Sequence, residues 1–335
     1  MKKGKLGDVL KFCIFLGIGI FFIYWFLIKL EPAQKQAIWQ SFLEADYLWV
    51  GLVMLCCLCS HLVRALRWQL LYTPLGCKPG LNNTFGSVVI AYMANLAFPR
   101  LGEVLRCATL RTSDGIPIEK SLGTVVTERI IDVLAFGVVV VMGMLVMFGQ
   151  AKDWLYDALS EKFQSLPSIG MILAVGFGLL AIFFLCYKLF WKRLLRFKFF
   201  QKINDLFVGC LDGIRSILHL GGRNTLLFIL YSVLIYFLYI MGGLLIFQAF
   251  DETAGLGMGA AFVLYLFGSV GMGLSQGGIG VYPVLVQMAL SLYGVGMEVG
   301  TAAGWLLWGS QQVIIILVGL GYLIKFSIIK HNDKR

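Results

Sequence analysis

Six stretches of the chain, near residues 11–30, 47–72, 121–149, 169–190, 224–250 and 299–325, are apolar over the ~20 residues a helix needs to cross a bilayer. Hydrocarbon offers a backbone no hydrogen-bond partner, so runs of this kind fold as membrane helices. Only 14% of the 335 residues are charged and 59% are hydrophobic, against roughly 25% and 45–50% in soluble domains. These values exclude a water-soluble globular enzyme. The net charge of +10 does not indicate nucleic acid either, because proteins that read nucleic acid carry their basic residues on a solvated face. The eight cysteines form neither a disulfide framework nor a zinc pattern. None of His61, His219 and His331 stands with acids at metal-ligand spacing, so no metal or cofactor is expected.

Two further segments, 81–112 and 255–295, are apolar but interrupted. The first is broken by Phe98-Pro99-Arg100-Leu101-Gly102-Glu103, the second by Ser275-Gln276-Gly277-Gly278-Ile279-Gly280. Each reads either as a broken span or as a re-entrant hairpin. Between the spans, residues 199–220 place Phe200, Ile203, Phe207, Leu211, Ile214 and Leu218 at helical spacing opposite Lys202, Asp205, Asp212 and Arg215. That pattern predicts an amphipathic helix lying on the membrane surface.

The loops assigned to the outer face (29–46, 150–168, 250–254, 295–298) hold four basic and nine acidic residues, whereas the other 24 basic residues face nine acids. By the positive-inside rule both termini are cytoplasmic. Residues 1–30 then form a retained first helix, and 1–335 a single membrane domain. Its parts are a first repeat over 47–149, a connector over 150–223 with the span 169–190, and a second repeat over 224–325. The fold expected is all-α and polytopic, with about 6–8 transmembrane helices and one or two re-entrant hairpins. Broken segments at corresponding places in two oppositely oriented halves suggest an inverted-topology repeat, an arrangement that places substrate sites near the bilayer midplane. Charge counting alone does not separate six spans with two hairpins from eight spans with one.

Ionisable groups at membrane depth cost ~2.5–3.5 kcal/mol each on insertion scales, so they mark sites or ion pairs. Glu128, Arg129 and Asp132 lie within the 121–149 span, with Glu128 and Asp132 on one helix face and Arg129 within reach of Asp132. They read either as a self-neutralising structural triad or as a cavity lining in which Arg129 binds an anion. Pro99, Arg100, Gly102, Glu103 and Arg106 surround a helix start near residue 101, where free N–H groups and arginine donors suit a phosphate. Glu103 is the expected counter-ion of these arginines. Opposite them, Gln276, Gly277, Gly278, Gly280 and Tyr282 supply amide, phenol and backbone hydrogen bonds without charge. Arg64, Arg67 and Trp68, near the inner end of their span, fit interfacial snorkelling and aromatic anchoring.

In order along the chain, Arg64-Ala65-Leu66-Arg67-Trp68, Pro99-Arg100-Leu101-Gly102-Glu103 with Arg106, Glu128-Arg129 with Asp132, and Gly277-Gly278-Ile279-Gly280 resemble the motif series of the lysylphosphatidylglycerol synthase transmembrane-region family, also described as flippase-like. The resemblance implies lipid handling in a prokaryotic cytoplasmic membrane, with membrane lipids of anionic headgroup as partners. It leaves open a homo-oligomer and any coupling ion. Two departures matter. Tyr282-Pro283 stand where such proteins commonly carry an acid after the glycine motif, and no soluble aminoacyl-transferring domain follows the last span. Translocation of an anionic lipid or lipid-linked headgroup is therefore expected, and enzymatic headgroup transfer is not. The alternatives are a headgroup-modifying enzyme using Glu128 and Asp132 as acid and base, and a scaffold in envelope assembly.

Overall fold

In the computed structural model, residues 24, 28, 32–98, 101–160 and 220–332 are described. The expected helix over 1–30 (apart from residues 24 and 28), the span 169–190, the interfacial helix 199–220 (apart from residue 220) and the pair Pro99-Arg100 lie outside them. Nine α-helices and two short 3-10 turns make up the secondary structure of the described residues, which contain no strand. They are α1 (Pro32–Glu44), α2 (Tyr47–Leu70), α3 (Leu81–Ala97), α4 (Leu101–Asp114), α5 (Ile118–Ser160), α6 (Gly222–Phe247), α7 (Met258–Leu274), α8 (Val281–Ser291) and α9 (Met297–Asn332). By length and composition three segments can cross a membrane: Tyr47–Leu75, Gly222–Phe247 and Met297–Ile328.

Local chemistry sets the boundaries. Asp46 starts α2 by accepting a hydrogen bond from the Leu48 N–H at 2.9 Å, as an N-cap carboxylate does. Pro99 ends α3, since the residue before a proline is pushed out of the helical region. Phe98 is accordingly extended, at φ −140° and ψ 128°. Helix α5 runs past the expected loop at 150 to Ser160, because no proline intervenes before residue 167.

Each interrupted segment folds as a helical hairpin, α3/α4 and α7/α8. At the first, the two open ends lie side by side: Asp114 accepts from the Gly80 N–H at 2.9 Å and from the Asn83 amide at 3.1 Å. The end of α2 joins them through Gln69, which donates to the Pro79 carbonyl at 2.7 Å. The end of α9 joins through Lys325 to Asn83 at 3.3 Å and Tyr322 to Asn82. At the opposite end of the molecule, the entry to α7 (Phe250, Leu256) and the exit from α8 (Tyr293, Val295) share one core. Ala45, just ahead of α2, and Phe247, at the end of α6, complete it. The two hairpins therefore open at opposite ends. A 17-residue arm such as α3 or α7 spans ~25 Å, short of the hydrocarbon thickness.

Their tips meet in the middle. Gln276 donates its amide to the carbonyls of Asn95 at 2.6 Å and Leu96 at 3.3 Å, and Trp308 of α9 donates to the Gly277 carbonyl at 2.8 Å. Gly277, Gly278 and Gly280 turn the second tip at φ of 58°, 79° and 73°, a region that residues with a Cβ rarely enter. Around the bundle, large apolar side chains face outward, among them Leu226, Ile229 and Val233 on α6 and Leu317, Leu320 and Ile324 on α9. Such a belt suits lipid as solvent.

Candidate functional site

Beside the first hairpin, α2, α4 and α5 bring five ionised side chains into one buried cluster. Glu128 on α5 is its centre. One carboxylate oxygen accepts from Arg64 and Arg67, each at 3.1 Å, and the other accepts from Arg106 at 2.6 Å. Asp132, one turn further along α5, accepts from Arg64 at 2.7 Å and Arg67 at 2.6 Å. The helical spacings are what make this work: Arg64 and Arg67 are three apart on α2, Glu128 and Asp132 four apart on α5, so each pair presents one face. Glu128 and Arg67 are fully buried.

Aromatic rings shield the guanidinium groups. The Arg106 guanidinium carbon lies 3.6 Å from the centre of the Trp68 ring, and Trp68 is itself held by a hydrogen bond from its indole N–H to Thr124 at 2.9 Å. Arg67 lies 5.3 Å from the Phe228 ring centre and donates to Ser232 at 3.0 Å. Arg64 lies 5.6 Å from the Tyr92 ring centre and donates to the Tyr239 hydroxyl at 3.2 Å. Tyr236 donates to the Asp132 backbone carbonyl at 2.8 Å. Stacked arginines keep their charge while losing water, which favours cation–π contact.

This corrects the reading of Arg64, Arg67 and Trp68 as interfacial anchors. Snorkelling turns a head group toward water, whereas these three are 5%, 0% and 0% exposed and turn into the bundle. The pairing of Glu103 with Arg106 is corrected too, while Arg100, its other expected partner, lies outside the described residues. Arg106 pairs with Glu128, and Glu103 pairs with Arg129, the Arg129 Nε lying 3.1 Å from its carboxylate. Arg129 reaches Asp132 only at 4.0 Å, so the three charges of α5 do not neutralise one another; their main partners are on α2 and α4.

The Arg129–Glu103 pair differs from the rest of the cluster. Its side chains are 41% and 33% exposed, against 15% or less for every other member. With this pair included, four arginines meet three carboxylates among the described residues, an excess of one positive charge. The neighbouring tip is closely built. Gly102 donates its N–H to the Asn95 side chain at 2.8 Å, and a Cβ there would lie 2.1 Å from the Ala91 carbonyl oxygen.

On the second hairpin, Gln276 is occupied in joining the tips, Gly277, Gly278 and Gly280 form the turn, and Tyr282 is buried in the core against Gly268 and Gly271. Sequence reasoning missed Tyr92, Ser232, Tyr236 and Tyr239. The last three recur at i, i+4 and i+7 within an apolar span, a polar stripe that marks an inward helix face.

The family described as "Lysylphosphatidylglycerol synthase TM region" matches residues 11–319. The chain belongs to that family. Membership and the apolar helices together make it a membrane protein related to lipid handling. No curated protein and no solved structure matches the chain.

Proposed function

We propose that this member of the family carries an anionic phospholipid or lipid-linked headgroup across the cytoplasmic membrane, binding its phosphate at Arg129 beside the buried arginine cluster. The observation that carries the reading is a half-exposed arginine, Arg129, beside a buried cluster that holds one more arginine than carboxylate among the described residues. Charge at membrane depth costs too much to be retained without a partner or a use. Glu128 and Asp132 are saturated by guanidinium groups, so they serve as anchors for arginines and not as the acid and base of a headgroup-modifying enzyme. Arg100, adjacent in sequence to the first tip, is a second candidate ligand.

The hairpins, opening at opposite ends and meeting at their tips, support two re-entrant segments and an inverted repeat about a midplane site. The end holding Asp46, Asp251, Glu252 and Glu298 is then outside, and the end holding Lys78, Arg111, Lys120 and Lys325 faces the cytoplasm with both termini. On a cysteine-free background, single cysteines at 98 and 103 should label only from the cytoplasmic side and those at 275 and 279 only from the outside. Labelling of either tip from both sides overturns the hairpin topology.

Purified protein reconstituted with leaflet-labelled phosphatidylglycerol should accelerate leaflet exchange. Arg129→Ala should return it to the protein-free rate while lowering stability by no more than about 1 kcal/mol, the scale of a half-exposed ion pair. Exchange no faster than in protein-free vesicles over a broad lipid panel overturns the proposal. Chemically altered headgroups would move the assignment to an enzyme.

A further inference from the structure

Among the described residues the Arg129–Glu103 pair is the ion pair of the site most open to its surroundings, and its geometry suggests what it does. Resting on the lipid-binding reading above, we infer that Glu103 is a built-in placeholder: its carboxylate occupies on Arg129 the position of an incoming phosphodiester, which must displace it to bind. Three observations carry this. The Arg129 Nε lies 3.1 Å from the Glu103 carboxylate but is itself buried and makes no hydrogen bond to it, so the contact is a loose charge pairing that a better-aligned phosphate oxygen can replace. Both side chains are reachable, whereas Arg64, Arg67 and Arg106 are sealed by Glu128, Asp132 and aromatic rings. Finally, a phosphodiester carries the same single negative charge as the Glu103 carboxylate, so Arg129 stays paired, and the displaced carboxylate remains beside a cluster holding one more arginine than carboxylate among the described residues.

That last point decides between direct binding and displacement. Adding an anion beside Glu103 would oppose like charges, and removing Glu103 without a substitute would leave Arg129 uncompensated at depth. Displacement keeps Arg129 paired and moves the still ionised Glu103 carboxylate away from the incoming anion, toward the cluster's one excess positive charge. As the lipid leaves, Glu103 re-forms its pair with Arg129. Glu103 is thus a positioning and specificity residue. It sets a threshold that a singly charged phosphodiester can meet and that a zwitterionic headgroup, with its own internal cation, meets less well.

The test is binding measured on the full chain in detergent, by intrinsic tryptophan fluorescence, with three probes: short-chain phosphatidylglycerol, short-chain phosphatidylcholine and inorganic phosphate. Glu103→Gln removes the competing charge and keeps the shape. It should tighten phosphatidylglycerol binding about two- to fivefold, the range of a half-exposed ion pair, and narrow the preference over phosphatidylcholine. In an Arg129→Gln background the same change should have no effect, since the two residues act on one interaction. A parallel gain for inorganic phosphate identifies the phosphate group itself as the competitor, and a gain confined to the lipid identifies the lipid headgroup. Unchanged or weaker phosphatidylglycerol binding in Glu103→Gln, or a gain that persists without Arg129, overturns the inference while leaving lipid binding standing. Absence of binding to any probe in both wild type and Glu103→Gln overturns the inference together with the function on which it rests.

Discussion

The two hairpins share a plan and differ in chemistry. In α3/α4 the tip is followed by Glu103 and Arg106, and α4 is fastened to the bundle by ion pairs to α5. In α7/α8 no described residue between Met258 and Ser291 is charged. That hairpin is held by shape: Tyr282 against Gly268 and Gly271, and the Pro283 backbone against Gly304 of α9. Even the glycines do different work. Gly102 permits two backbones to touch, whereas Gly277 permits a backbone angle. One hairpin carries the charge chemistry, and the other supplies the closely fitted surface against which its tip rests.

The contrast can be broken at its strongest point first. Glu128→Gln takes from Arg106 its carboxylate partner and leaves Arg64 and Arg67 only Asp132, and should cost about 3–5 kcal/mol, as removal of one partner from a buried ion network does. Thermal unfolding in detergent would register this as a large drop in Tm or a loss of folded material. An unchanged Tm would mean that the first hairpin is not held by charge.

A smaller effect separates the glycines. Gly102→Ala drives a methyl group into the Ala91 carbonyl, which is backbone and cannot yield, and should cost about 1–3 kcal/mol or more. Gly277→Ala meets the end of the Leu96 side chain at 2.8 Å, which can turn aside. It should cost only the ~1–2 kcal/mol of a left-handed backbone at a residue with a Cβ. Equal losses in the same unfolding measurement would erase the distinction between close approach and backbone angle.

The smallest effect falls on the junction. Gln276→Ala removes the donor that joins the tips and should cost about 1 kcal/mol, the net worth of a typical hydrogen bond. Because it touches no charged group, it should change leaflet exchange through the contact between tips while leaving phosphatidylglycerol binding at Arg129 unaltered. Weakened binding would mean that the tips form one site.

Much of this was legible in the chain. The breaks at 98–103 and 275–280 were readable because proline and glycine act locally, through φ and through missing donors. The identity of the inward charges on α5 was readable because any ionisable residue in an apolar run stands out. What Arg64 and Arg67 do was not readable, because an arginine near the end of a span looks the same whether it turns out to water or in to an acid. The aromatic partners Tyr92 and Tyr239 were hidden for a similar reason: tyrosine is ordinary at a membrane interface and also in a core.

The sequence by itself determined the solvent, the helical class and the two interruptions, since these depend on hydropathy and on backbone chemistry within a few residues. Only the tertiary structure decided the pairing. Arg64 and Arg67 meet Glu128 and Asp132 across 61 to 68 residues of chain, and nothing local records that distance. A buried charge must find an opposite charge, but which one it finds is set by how the helices pack. That packing gave Glu128 to three arginines and left Arg129, half-exposed, to Glu103.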